Sequence, residues 1–397
     1  MDIGREKYRI FSEGKIVGLS LKNRLVRSAT WDVPITVTRE VGDDVVDYYR
    51  KITLGGTGMI ITGDFPVTPD GPIRTDTSFT DVAVSGLERI AEVVHRTDGR
   101  CMVVAQLNTG YIGKVPSQRQ SPFSKNPTPA LSEKEIKVII ECFAQGVIKA
   151  KSLGYDGVQF HAAHGTLLCD FLSPYANKRQ DDYGGTVRKR VNIIREIVTL
   201  ARQDAGDFPI LIKANCTDYI EGGIDADSFP ELASEIENAG IDAIEVSGGR
   251  YDCLVRTEEE LGFRPVPGAE SHTRINSVDK QSYFYPYTEN LHLSIPIILV
   301  GGNKDVEHLE KLLKNGRVDF MAMCRPLICE PDLPNRWLLG QGKSISQCIS
   351  CNSCIYDMIM NFSNKHARIT RCLYKEDTEE YKKAQKWLSS WVENHKV

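Results

Sequence analysis

Two histidines stand three residues apart in the stretch Gly157-Val158-Gln159-Phe160-His161-Ala162-Ala163-His164-Gly165. The short apolar run before them reads as a buried strand, and a glycine and a helical pattern follow. Both imidazoles therefore leave a strand at its carboxyl end, where the loops of a parallel α/β barrel line one shared pocket. Taken alone, such a pair serves as readily to cap a helix or satisfy backbone groups. Lys213 ends a second apolar run, Pro209-Ile210-Leu211-Ile212, and a cation leaving a buried strand needs a partner. Near the C-terminus Cys348, Cys351 and Cys354 follow one another at three-residue steps, and seventeen residues separate Cys354 from Cys372. Three clustered thiols and one distant thiol suit a 4Fe–4S cluster. The same layout could hold a tetrahedral zinc, or no metal at all. The other seven cysteines are scattered in apolar contexts and read as packing residues.

Elements that could position these groups alternate along the chain. Strand-like runs are expected at 23–28, 58–62, 102–107, 157–161, 209–214, 243–247, 296–300 and 319–323. Amphipathic helical patterns cover 82–95, 132–152, 187–202, 228–239 and 305–314. Eight strands separated largely by helices predict an α/β fold, a (β/α)8 TIM barrel over residues 1–343. A doubly wound open sheet is the alternative, but it would want a Gly-x-Gly-x-x-Gly turn after an early strand, and none occurs. Residues 344–397, a cysteine-bearing loop and a charged helix with Trp387 and Trp391, are expected to pack on the barrel as an extension. The long connections 63–79 and 249–281 read as binding loops or lids. A net charge of −4 gives no reason to expect nucleic acid or an anionic membrane as partner. The polar start Met1–Lys7 and the lack of a bilayer-length apolar run predict a cytoplasmic protein.

Several motifs in order make the chain resemble the old yellow enzyme family of FMN oxidoreductases. They are Leu21–Thr30, Gln106-Leu107, His161–Gly165, and the segment Phe171-Leu172-Ser173-Pro174 through Asn177, Arg179, Asp181, Tyr183-Gly184-Gly185 and Arg190. The likeness is to the branch that includes the barrel domains of 2,4-dienoyl-CoA reductase and trimethylamine dehydrogenase. It implies FMN as cofactor, with Ser28, Ala29 and Thr30 under the flavin and Gln106 on its pyrimidine edge. Gly63 would leave room for the ring, and Lys213 would face the side where negative charge collects on reduction. Val300-Gly301-Gly302 and Cys324-Arg325 would bind the phosphate through close backbone approach and charge-assisted bonds, although the glycine pair also reads as a tight turn. Trp31 would shape the pocket. The resemblance also favours iron–sulfur over zinc at Cys348, Cys351, Cys354 and Cys372.

By the same resemblance His161 and His164 would hold the carbonyl oxygen of an unsaturated substrate, an enone, enoate or enoyl thioester. Hydride from flavin N5 then reaches the β-carbon. The family's proton donor is a tyrosine two residues after the second histidine. Here that position is Thr166, whose hydroxyl is far less acidic, so Tyr111 and Tyr251 enter as candidates. Thr109 stands where many relatives carry histidine. Larger relatives continue into nucleotide-binding domains, and residues 373–397 are too few for one. The expected donor is therefore a separate ferredoxin or flavoprotein working through the cluster, with NAD(P)H as the direct donor if no cluster is present. Two other readings stay open: an oxidative enzyme of the amine-dehydrogenase kind, and a flavin-bearing electron-transfer subunit. Substrate identity is not legible, and neither is whether the protein forms a homo-oligomer.

Overall fold

The computed structural model describes residues 3–67, 85–109 and 112–394. Eight parallel strands close into a barrel in chain order: β1 (Leu25–Arg27), β2 (Met59–Pro66), β3 (Met102–Asn108), β4 (Gly157–Ala162), β5 (Ile210–Asn215), β6 (Ala243–Ser247), β7 (Ile297–Leu299) and β8 (Phe320–Met323), with β8 pairing back on β1. All eight expected strands are present. They read as near-continuous apolar runs because both faces are covered, by side chains inside the barrel and by helices outside. Val26, Met59, Ile61, Val104, Leu211, Ala243, Ile298 and Ala322 fill the interior. A short antiparallel hairpin, Gly14–Ile16 with Leu19–Leu21, adds Ile16, Leu19 and Leu21 to that interior cluster. The hairpin is not among the strands expected from the sequence.

Outside lie α1 (Asp43–Leu54), α2 (Glu88–Thr97), α3 (Glu133–Ser152), α4 (Asn192–Ala205), α5 (Phe229–Asn238) and α6 (Val306–Lys314). Helix α1 was missed, although Val45, Tyr49 and Ile52 recur at helical spacing and all are buried. A capping box starts α3: Ser132 accepts from the Glu135 N–H while the Glu135 carboxylate accepts from the Ser132 N–H. The expected helix over 187–202 is two pieces, Val187–Arg190 and α4, joined at Val191. Beyond the barrel, α7 (Ser353–Ser363) follows the cysteine loop and α8 (Thr378–Asn394) packs against it. Among the described residues no helix is long and apolar enough to cross a membrane.

Candidate active site at the barrel mouth

A cavity of about 340 Å³ opens at the carboxyl ends of the strands. Its polar floor is a chain of side chains from five strands or strand ends. Lys213 and Glu245 are register partners on β5 and β6, with Nζ and Oε1 3.4 Å apart. Lys213 donates to Ser28 Oγ at 2.9 Å, and that hydroxyl donates to Glu245 Oε1 at 2.5 Å. Gln159 donates to the other Glu245 oxygen at 2.8 Å and accepts from Gln106 Nε2 at 2.7 Å. Ser28, Gln106 and Lys213 line the cavity; Glu245 is fully buried behind them. Ala29 and Thr30 complete this edge, and Thr30 Oγ1 lies 3.0 Å from Cys324 Sγ. Ser28, Gln106 and Lys213 are expected from the sequence; Gln159 and Glu245 are not. Alternation along β4 and β6 offered a signal, because each is a polar residue inside an otherwise apolar strand.

His161 and His164 line one wall, with ring centroids 5.2 Å apart and nearly perpendicular. Burial, reinforced by the nearby Lys213 charge, pushes the His161 imidazole down to about 3. Burial drives His164 well below its ordinary value as well, helped by His161 and Lys213. Both rings are therefore neutral near pH 7. His164 sits in a left-handed turn (φ 62°), its N–H donates to Asn215 Oδ1, and its Nε2 is 2.8 Å from Ser247 Oγ. His161 Nδ1 is buried without a hydrogen-bond partner among the described residues. The Thr166 hydroxyl donates to the carbonyls of His161 (2.7 Å) and Ala163 (3.0 Å), so it braces the turn at the start of the short helix that follows.

At the ends of β7 and β8 two buried cations face the cavity without a carboxylate partner among the described residues. Lys304 donates to the carbonyls of Ile275 (3.1 Å) and Cys348 (2.5 Å), and Arg325 donates to the His272 carbonyl and the Asn352 side chain. Both cations thus hydrogen-bond only neutral acceptors, which suits a bound anion. Lys304 was not anticipated. Gly301 and Gly302 line the same end at φ 109° and 74°. A Cβ there would lie 2.6 Å from the Phe284 ring and 2.8 Å from the Tyr283 ring, so packing against these aromatics also demands glycine. Glu270, from the long loop after β6, is the carboxylate on this wall; burial raises it, against the pull of Arg325 and Lys213.

The C-terminal segment forms the remaining wall. Cys354, Ile355, Met358 and Ile359 of α7 line the cavity, and Phe362 packs on Trp31 at 4.7 Å. Tyr251 lies at the rim, half exposed, against Phe123 (4.5 Å) and Trp391 of α8 (6.1 Å). The loops after β3, β4 and β6 are tied by buried charges: Arg250 pairs with Asp170, and Arg119 reaches Asp252 (2.6 Å) and Asp170 (3.2 Å). Arg250 also forms a bridge with His164 through the backbone.

Cys348, Cys351, Cys354 and Cys372 line one small second cavity, which shares Arg325, Ile328 and Cys354 with the first. The structure thus unites the three clustered cysteines with the distant one. Cys329, which reads from the sequence as a packing residue, lies beside Cys372. Among the described residues no three His, Cys, Asp or Glu side chains converge closely enough for a single metal ion. One predicted site residue is not brought to the main cavity. Gly63 is absent from its lining; its N–H donates to Asp32, whose carboxylate would meet a Cβ at 2.6 Å, and the neighbouring Asp64 lines the cavity instead. Tyr111, like most of the loop 63–79, falls outside the described residues.

Residues 9–341 match the model of the NADH:flavin oxidoreductase / NADH oxidase family. A metal reductase of Desulforamulus reducens is 29% identical over 362 residues, 88% of this chain and 52% of that protein. A cinnamate reductase of Clostridium sporogenes is 26% identical over 378 residues, 86% of this chain and 54% of that protein. The chain thus spans about half the length of these two relatives. Among solved structures, a 2-naphthoyl-CoA reductase in complex with 2-naphthoyl-CoA superposes with TM-score 0.77 at 23% identity, covering 94% of this chain and 58% of that one.

Proposed function

This chain belongs to the NADH:flavin oxidoreductase / NADH oxidase family, the old yellow enzyme family that its motifs resemble, and from that membership we propose that it is an FMN-dependent reductase of activated C=C bonds. The observation that carries the reading is the pair of neutral, cavity-lining imidazoles, His161 and His164, beside a floor that presents Lys213 and Gln106. The residues fit FMN. Gln106, Lys213, Ser28 and Thr30 can meet the ring, and the buried cations Lys304 and Arg325 can meet the phosphate. When bound, FMN supplies hydride from N5.

The protein's own part is positional and electrostatic. Two neutral N–H donors can hold and polarise a carbonyl oxygen without placing a net charge beside it, which draws electron density from the β-carbon. Orienting the acceptor this way gives a large share of the rate by proximity alone. The Thr166 hydroxyl is committed to backbone carbonyls, so it does not supply the α-carbon proton; Tyr251 at the rim is the donor we assign. The cinnamate reductase among the relatives supports an unsaturated carboxylic or carbonyl substrate.

We further assign a 4Fe–4S cluster to Cys348, Cys351, Cys354 and Cys372. The four thiols line one small cavity, and three closely spaced cysteines with one distant one suit the ligand set of such a cluster. Such a cluster would supply single-electron transfer. The test of the catalytic assignment is single-turnover reduction of an enone by the prereduced protein. His161→Ala and His164→Ala should each slow it by about 10²–10³-fold while FMN content stays unchanged. Undiminished rates in both variants would refute the carbonyl-binding role.

A further inference from the structure

The buried carboxylate behind the floor carries an inference that deepens, and rests on, the FMN reading. Glu245 has no exposed surface, does not line the cavity, and has Lys213 as its ion-pair partner among the described residues. Its two oxygens are fully engaged: Oε1 by Ser28 Oγ (2.5 Å) and Lys213 (3.4 Å), Oε2 by Gln159 (2.8 Å). Each of these partners either lines the cavity or hydrogen-bonds a residue that does, since Gln159 holds Gln106. One charge thus sits behind the groups that face the ring. We propose that Glu245 is the positioning residue that sets the reduction potential of the bound flavin, by partly cancelling and by orienting the Lys213 cation.

The sign follows from charge. Two electrons and one proton convert oxidised flavin to its anionic reduced form, and the added negative charge gathers on the side that Lys213 faces. A carboxylate 3.4 Å from that ammonium reduces the positive potential the ring experiences, most of all in a buried site. Removing the carboxylate charge should favour the reduced flavin; removing the ammonium should disfavour it. A partner of purely structural value would change stability and leave the potential where it was.

The experiment is an anaerobic dithionite titration of the FMN-loaded full chain with a redox dye. Relative to wild type, Glu245→Gln should shift the two-electron equilibrium at least tenfold toward reduced flavin, about +30 mV. Lys213→Met should shift it the other way, and Glu245→Asp, which keeps the charge, should return close to wild type. If Glu245→Gln alone does not fold, Lys213→Met/Glu245→Gln removes the pair together, and its flavin should be easier to reduce than that of Lys213→Met. An unchanged potential in Glu245→Gln, or equal potentials in the last two variants, overturns the proposal. So does loss of flavin from every charge-neutral variant with retention in Glu245→Asp, which would make Glu245 a residue that holds the site together. Failure of the wild-type chain to bind FMN would instead strike the functional reading itself.

Discussion

His161 and His164 are unusual at the level of single residues because their charge state is decided by burial. With the folded value of His161 near 3 and that of His164 also well below the ordinary 6.5, the unfolded chain binds more protons than the folded one in the interval between. Stability then rises with pH across that interval: the contribution of the two rings is complete above about pH 6.5 and is lost as pH falls toward 3. Each ring can contribute a slope of up to about 1.4 kcal/mol per pH unit. Melting temperatures measured between pH 7 and 4.5 should therefore fall more steeply for the native protein than for His161→Gln, which removes one of the two protonations. Equal slopes would mean that His161 is not buried in its neutral form. At the same scale Thr166 shows how a residue's place in a motif can mislead about its chemistry, since its hydroxyl serves the turn that carries the histidines.

Between residues and the whole chain stand the loops after β3, β4 and β6, which must hold the left-handed His164 turn against its own backbone preference. Arg250, 1% exposed, bridges this turn and pairs with Asp170, and Arg119 closes the set onto Asp252. Breaking a buried pair strands the remaining charge, a loss of about 3–5 kcal/mol. Arg250→Met should lower the melting temperature by several degrees and weaken binding of a carbonyl ligand, whereas the exposed pair Lys382–Glu379 should be nearly silent to Lys382→Met. A melting temperature unmoved by Arg250→Met would show that the loops are held by packing alone. Helix α7 has a different part at this scale. By placing Ile355, Met358 and Ile359 on the cavity and Phe362 on Trp31, it makes the C-terminal extension a wall of the site.

At the scale of the molecule two cavities share a partition of Arg325, Ile328 and Cys354, so a redox group bound in one would lie next to a redox group bound in the other. Lys304 ties the partition together, facing the main cavity while its ammonium holds the carbonyl of Cys348. From this arrangement we expect an anaerobically purified sample to show flavin absorbance with a broad iron–sulfur shoulder and about four irons per chain. Cys351→Ala should lose the iron and the shoulder while keeping the flavin. Steady turnover with NADH or NADPH and no added protein would exclude the separate electron donor, and flavin without iron would leave the cysteines as a structural loop.

What the sequence determined by itself is what short-range periodicity can encode. Apolar runs of strand length between amphipathic helices sufficed for the barrel, and residues at the carboxyl ends of those runs, His161, His164, Lys213 and Arg325, had to share a mouth once it closed. Spacing alone likewise singled out Cys348, Cys351 and Cys354. The tertiary structure decided which buried groups became partners. Ser28 and Lys213 are 185 residues apart in the chain and meet only through barrel closure. The pairing of Glu245 with Lys213 depends on the register of β5 on β6, and the neutral surroundings of Lys304 depend on a loop from beyond the barrel. Local pattern records which face of a strand is apolar. It does not record which distant polar side chain will complete the coordination of a charge, because that choice is made by register and closure, where the penalty for an unpaired buried group selects the partner.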